Sequence, residues 1–319
     1  MTKKDFRIVF LGTPGFAVET LKLLVENQYN IVGVITMPDK PAGRGHRLQE
    51  SDIKKYAKSQ NLPILQPTNL KDSDFLKDLE NLKADLNIVV AFRMLPEEVW
   101  DMPKHGTYNL HGSLLPQYRG AAPINWAIIN GEYETGVTTF KLVHKIDTGK
   151  IAYQTKVEIG DRDNAGTIHD KLMLVGAKLM LKTVDAIIDG SITLHAQDSD
   201  SELLKPAPKI FKETCRIDWN LCAKDIDFFI RGLSPYPAAY TTLERGDTSF
   251  NIKVFDAQPI TEKHNYSVGT IVQPHPRQID VAVVDGFIRI LELQVQGRKR
   301  MKTTDFLNGF TIEENDCFK

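Results

Sequence analysis

The stretch Phe6-Arg7-Ile8-Val9-Phe10-Leu11, running into Gly12-Thr13-Pro14-Gly15 and then into apolar residues at helical spacing over 16–24, decides the reading of the fold. A short, β-rich apolar run that stops at a Gly/Pro turn and gives way to a helical period is the strand–turn–helix opening of a βαβ unit. The buried-strand signal recurs at 31–36, 63–66 and 86–92, separated by helical patterns at 51–59 and 73–82. Such alternation predicts an α/β domain: a Rossmann-like parallel sheet with helices on both faces. A strand over 108–110, a helix over 123–130, a strand over 136–143 and a long helix over 167–188 extend the pattern.

After Gly190 the composition changes. Residues 191–208 contain Asp198-Ser199-Asp200-Ser201 and Pro206-Ala207-Pro208, the make-up of an exposed linker. Beyond it the spacing predicts one helix over 222–233 and then short strands at 250–257, 269–273, 279–284 and 287–295. The last two flank Asp285-Gly286, which reads as a two-residue hairpin turn. The expected organisation is a catalytic domain over 1–190, a linker over 191–208 and a smaller β-barrel or sandwich domain over 209–319.

A chain of 319 residues is long enough for about two such domains. With 40 Lys and Arg against 41 Asp and Glu, bulk charge does not identify a polyanion binder, so only local clusters can. No apolar run approaches the roughly 18–20 residues needed to cross a bilayer, and the first residues have no signal-peptide character. A cytoplasmic location is expected, with no membrane partner. Cys215, Cys222 and Cys317 match no zinc spacing and no disulfide framework, so reduced thiols and no metal are expected. Nothing in the pattern calls for an oligomer, and a monomer is expected.

The chemistry is concentrated in Asn109-Leu110-His111-Gly112-Ser113-Leu114-Leu115-Pro116, continuing to Tyr118-Arg119-Gly120. If 108–112 is extended, alternation puts the Asn109 and His111 side chains on one face at the end of a strand. Asp147, in Lys145-Ile146-Asp147-Thr148-Gly149, falls where the strand ending near Val143 becomes a loop. By itself Asp-Thr-Gly is a turn former. An amide donor, an imidazole and a carboxylate together make an acyl-transfer set: Asn109 and a protonated His111 would stabilise an oxyanion, and Asp147 would handle the proton of an attacking amine. No Ser or Cys is paired with a base, which favours direct transfer over a covalent intermediate.

Two cationic clusters break the neutral average. One is the Gly/Pro-rich loop 38–47 with Lys40, Arg44 and Arg47; the other is Arg298-Lys299-Arg300-Met301-Lys302 after the last long strand. Each singly reads as solvated surface, while the two together suit an anionic polymer. From 209 to 319 there are 15 basic and 15 acidic residues, so such binding must use a few placed contacts and show a modest salt slope.

These motifs resemble those of the methionyl-tRNA formyltransferases along almost the whole chain, from Gly12-Thr13-Pro14 through Asn109-Leu110-His111-Gly112-Ser113-Leu114-Leu115-Pro116 and Asp147-Thr148-Gly149 to Gly232-Leu233-Ser234-Pro235-Tyr236-Pro237-Ala238. The Asn-x-His and Asp-Thr-Gly elements are common to folate-dependent formyltransferases and fix the chemistry; the acceptor rests on the loop and the tail. The resemblance implies that Asn109, His111 and Asp147 are catalytic. It further implies that Ser113, Leu114, Leu115 and Pro116, with Phe92, Met94 and Leu95, line a site for 10-formyltetrahydrofolate, the formyl donor. The implied acceptor is the α-amino group of methionyl initiator tRNA, giving the formylated initiator used in translation. Lys40, Arg44 and Arg47 then belong to a loop that enters the acceptor stem, and Arg298, Lys299, Arg300 and Lys302 to an OB-like C-terminal barrel that also meets tRNA. Arg93, and His144-Lys145 ahead of Ile146-Asp147, depart from the commoner family pattern.

Three other readings compete. A formyltransferase for a small amine, such as glycinamide ribonucleotide or an amino-sugar nucleotide, needs neither basic cluster. A nicotinamide-dependent dehydrogenase is weakened by the absence of GxGxxG after the first strand. A silent RNA-binding module leaves Asn109, His111 and Asp147 without a purpose.

Overall fold

A computed structural model describes residues 2–42, 47–198 and 203–319, which fall into two compact units. The chain begins with β1 (Arg7–Gly12), α1 (Gly15–Glu26), β2 (Asn30–Ile35), β3 (Lys40–Ala42), β4 (Arg47–Gln49), α2 (Asp52–Ser59), β5 (Ile64–Leu65), α3 (Ser73–Asn81), β6 (Leu86–Val90), α4 (Glu97–Trp100) and β7 (Thr107–His111). It continues with α5 (Pro123–Ile129), β8 (Glu134–Lys141), β9 (Ile151–Glu158) and α6 (Ala165–Asp189). Ser51 caps α2 by accepting the Lys54 N–H, and Asp72 caps α3 by accepting two.

The first unit is built on a seven-stranded sheet in the order β5-β2-β1-β6-β7-β8-β9. Strands β5, β2, β1, β6 and β7 pair in parallel, and β8 joins β7 antiparallel, so the expected parallel sheet is mixed at one edge. Ile8, Val9, Phe10 and Leu11 are all fully buried, as a central strand covered on both faces requires. On one face Val9, Leu11, Ile35 and Val89 pack with Phe75 and Leu79 of α3 and Val99 of α4. On the other, Thr139 of β8 shares a 2.7 Å hydrogen bond with Thr183 of α6.

The second unit contains α5, residues 158–168 and the chain from Ala207 onward. Its elements are α7 (Ala223–Leu233), β10 (Ala239–Arg245), β11 (Thr248–Thr261), β12 (Ile271–Val272), β13 (Asp280–Val283), β14 (Gly286–Val295), β15 (Met301–Lys302), α8 (Thr303–Phe306) and β16 (Cys317–Phe318). The antiparallel order is β12-β13-β14-β11-β10-β16, with β15 on β14. A bridge between Thr270 and Cys317 joins the two ends of this strip and closes it into a barrel. Ile226, Ile230 and Leu233 of α7 cover a core of Leu243, Ile252, Val254, Val281, Ile288, Ile290 and Leu293.

Several elements differ from the sequence reading. The hairpin turn is Val284-Asp285, because Val283 pairs with Gly286. A Cβ at Gly286 would lie 1.9 Å from the Ile260 carbonyl oxygen, so glycine is needed for contact with β11 and not for the turn. The Asp285 carboxylate instead accepts the Ala223 N–H at the start of α7, at 2.8 Å. A strand, β9, is added where none was expected, and the expected loop 38–47 includes β3 and the first residue of β4, which pair antiparallel. Helix α5 lies with the second unit because Asn125 donates to the Gly232 carbonyl of α7 at 2.7 Å. Residues 191–198 and 203–206 lie with the first unit: His195 exchanges backbone hydrogen bonds with Ile151, and the Lys205 carbonyl accepts the Tyr118 N–H at 2.7 Å. No helix among the described residues is long and apolar enough to cross a membrane.

Candidate active site

Strand β7 ends the parallel part of the sheet, and its register fixes the site. Asn109 stands beside Val89 of β6 and Phe140 of β8, and His111 stands beside Thr138. Alternation therefore turns Asn109 and His111 to the face carrying Val89, with Leu110 on the other. Asn109 is half-buried, and its carboxamide makes no hydrogen bond among the described residues. His111 is buried, edge-on to the Phe140 ring at 6.5 Å, with Nε2 2.8 Å from the Tyr118 carbonyl oxygen. A carbonyl only accepts, so Nε2 carries hydrogen and Nδ1 is the free position of the neutral ring.

Nδ1 lies 4.0 Å from Asp147 Oδ2, which accepts the Gly120 N–H at 3.0 Å. Asp147 sits in the loop between β8 and β9 with φ +53, a left-handed conformation uncommon outside glycine. Two residues on, the backbone crosses the end of β8 so closely that a Cβ at Gly149 would lie 1.7 Å from the Lys141 carbonyl oxygen. The Asp-Thr-Gly sequence thus combines a carboxylate with a residue small enough for the crossing.

Loop 112–120 supplies the other wall. Thr138 Oγ1 donates to the Ser113 carbonyl at 2.6 Å and accepts the Leu115 N–H at 3.1 Å, while Gln154 donates to the Leu115 carbonyl at 2.8 Å. Ser113 is fully buried with its hydroxyl given to the Gln117 carbonyl; Leu115 is buried, and Leu114 and Pro116 are half-buried. Residues 91–95 leave the same end of β6. Phe92 and Leu95 pack on the core, and Met94 is 72% exposed. Arg93, whose pKa burial lowers, donates to the Pro67 and Thr68 carbonyls at 2.6 and 2.8 Å, tying this turn to the loop after β5. The His144 side chain is 92% exposed.

The two basic clusters occupy separate elements. Lys40 is exposed at the base of the β3–β4 hairpin, Arg47 lies in β4, and Arg44 falls outside the described residues. Arg298, Lys299, Arg300 and Lys302 are exposed around the β14–β15 turn. Arg300 pairs with Glu292 and stacks 4.3 Å from the Phe255 ring centroid, so its charge is partly spent within the barrel.

The sequence reading includes Tyr118 and Gly120 in the informative block but assigns them no role, since they act through backbone groups that leave no residue-type signal; it misses Gln197, which bonds the backbone of 147–149 and lies in no motif. Among the described residues no group of three or more His, Cys, Asp or Glu side chains is arranged to hold a metal ion.

Comparison with known proteins gives this geometry a family. The formyl transferase model matches residues 6–184, and the model of the formyl transferase C-terminal domain matches 209–311. A methionyl-tRNA formyltransferase from Bacteroides thetaiotaomicron is 58% identical over 317 residues, 98% of each chain. One from Parabacteroides distasonis is 58% identical over 315 residues, 97% of each. Among solved structures, an N-formyltransferase from Helicobacter canadensis in complex with folinic acid and dTDP-3-aminofucose superposes with a TM-score of 0.65. It is 19% identical, spans 93% of this chain and 100% of its own, and so speaks to the fold. A site of amide, imidazole and carboxylate at the end of a Rossmann-like sheet, followed by an antiparallel barrel, thus belongs to a chain that is a member of the formyl transferase family, alongside the methionyl-tRNA formyltransferases.

Proposed function

We propose that the protein transfers a formyl group from 10-formyltetrahydrofolate to the α-amino group of methionyl initiator tRNA. The observation that carries the mechanism is the 4.0 Å separation of His111 Nδ1 and Asp147 Oδ2, on the strand face that also carries the unengaged Asn109 carboxamide. That gap exceeds a hydrogen bond, so each group is free to meet a reacting atom: the attacking amine nitrogen at Asp147 Oδ2, and the formyl oxygen at His111 Nδ1. As the nitrogen adds to the formyl carbon, the Asn109 amide and the imidazolium form of His111 donate to the developing oxyanion. Asp147 accepts the amine proton, its carboxylate held by the Gly120 N–H. Collapse breaks the bond from the formyl carbon to the folate nitrogen, which leaves with the proton that Asp147 took from the amine.

The residues fit the donor in character. Phe92, Met94 and Leu95 offer apolar surface beside the end of β7, and the buried Ser113 shapes loop 112–120 from within. The exposed Lys40 of the β3–β4 hairpin and the exposed cations around the β14–β15 turn support a polyanionic acceptor.

Incubation with 10-formyltetrahydrofolate and, in parallel, methionyl-tRNA, glycinamide ribonucleotide or an amino-sugar nucleotide tests this reading. Formylation of methionyl-tRNA is expected. Formylation of a small amine alone would overturn the acceptor, and formylation of none would leave only a binding module.

A further inference from the structure

We propose that Gln197 is a positioning residue for formyl transfer: it sets the separation of His111 and Asp147 by tying together the two loops that hold them. The inference rests on the roles proposed above for those side chains.

The Gln197 carboxamide uses its whole hydrogen-bonding capacity. Nε2 donates to the Asp147 and Gly149 carbonyls, each at 2.8 Å, and Oε1 accepts from Arg119 Nε at 3.0 Å and Nη2 at 2.6 Å. Carbonyls only accept and a guanidinium only donates, so its partners fix which way the amide points. Arg119 lies between the two residues that touch the catalytic pair: the Tyr118 carbonyl meets His111 Nε2, and the Gly120 N–H meets Asp147 Oδ2. Through the Arg119 side chain, Gln197 therefore links the segment that orients the imidazole to the backbone that carries the carboxylate.

The Gly120 N–H holds the Asp147 carboxylate and Thr148 bonds the Lys145 carbonyl, but the carbonyls of Asp147 and Gly149 are held by Gln197. Residues 143–146 are exposed, and Asp147 is kept at a positive φ that persists only where its surroundings enforce it. Without the two bonds from Gln197 this residue relaxes toward commoner backbone angles and swings its carboxylate away from His111. Gln197 is itself placed by His195, whose backbone N–H and C=O both pair with Ile151 at the start of β9. Glutamate here would keep Arg119 but turn an oxygen toward two carbonyls, losing both donors with almost no change of shape.

The test uses the full chain and steady-state formylation of methionyl-tRNA by wild type, Gln197→Ala, Gln197→Glu, Asp147→Asn and the Gln197→Ala/Asp147→Asn pair. Both Gln197 variants are expected to lose about 10- to 100-fold in kcat, with KM for either substrate within about twofold of wild type. Adding Gln197→Ala to Asp147→Asn should cost nothing further, because the residue acts through Asp147. Wild-type kcat in Gln197→Glu, or an equal loss with and without the Asp147 carboxylate, overturns the proposal. Wild-type kcat in Asp147→Asn alone overturns it by a separate route, since there the role of Asp147 fails while Gln197 is intact.

Discussion

His111 is gripped by the carbonyl of Tyr118, 2.8 Å from Nε2, a partner seven residues on that can only accept. The neutral ring is thereby held as the Nε2–H tautomer, with Nδ1 turned to Asp147. His111→Ala is expected to lower kcat by about 10²–10⁴ while leaving tRNA affinity near wild type. Rapid-quench formylation together with filter binding measures both; an unchanged rate would remove His111 from the mechanism.

Lys40 stands exposed where β3 begins, and Arg44 falls in the sequence between β3 and β4. Lys40→Ala and Arg44→Ala should raise KM for tRNA and leave KM for the folate unchanged. Each is expected to reduce the slope of log(kcat/KM) against log[salt] by up to about 1. Slopes identical to wild type across a salt series would show that the hairpin does not touch the phosphate backbone.

The four cations of the β14–β15 turn are not equivalent. Arg300 is engaged by Glu292, whose hydrogen bond raises its pKa, and lies over Phe255, whereas Arg298 and Lys299 are exposed. Arg298→Ala and Lys299→Ala are expected to weaken tRNA binding more than Arg300→Ala does, and Arg300→Ala to lower the melting temperature more. Binding titrations and thermal melts of the three variants decide it, and the reverse ranking would refute the assignment.

Asp316 and Arg245 form a nearly buried pair in the barrel, Nε to Oδ1 at 2.9 Å and Nη2 to Oδ2 at 2.5 Å. Burial, the largest single influence, opposes ionisation of the Asp316 carboxyl, but the Arg245 hydrogen bonds, the Glu313 N–H and the Arg245 charge together outweigh it and hold the pKa below the usual value. A carboxyl depressed in the folded state contributes stability above its unfolded pKa of roughly 4, and that contribution is lost as pH falls through the folded value. Asp316→Asn should cost about 1–3 kcal/mol at neutral pH and flatten the fall in stability below about pH 4. Denaturant melts over an acid series check this; an acid limb unchanged from wild type would exclude the pair as its source.

What could be read from residues alone follows from the range of the forces involved. The alternation of β7 gave Asn109 and His111 a common face, and the periods at 51–59 and 73–82 correspond to α2 and α3 within a residue. Local pattern suffices there because burial repeats along the chain. It does not say which unit a helix joins: α5 goes with the barrel because Asn125 meets Gly232, more than 100 residues away. It also misled at Asp285-Gly286, where a close approach to Ile260 and a bond to Ala223 govern the two residues. The stretch 191–208 has the polarity of a linker, and polarity is blind to whether a glutamine faces water or a pair of carbonyls. Gln197 was invisible for that reason.

The Thr270–Cys317 bridge has a consequence for synthesis. Until residues 317 and 318 have left the ribosome, the Leu243–Glu244 end of β10, beyond the Arg216–Tyr240 bridge, and the segment entering β12 each present an unpaired sheet edge. Such edges recruit strands from other chains. A nascent or truncated barrel lacking those two residues is therefore a template for aggregation, although most of its hydrophobic core precedes them.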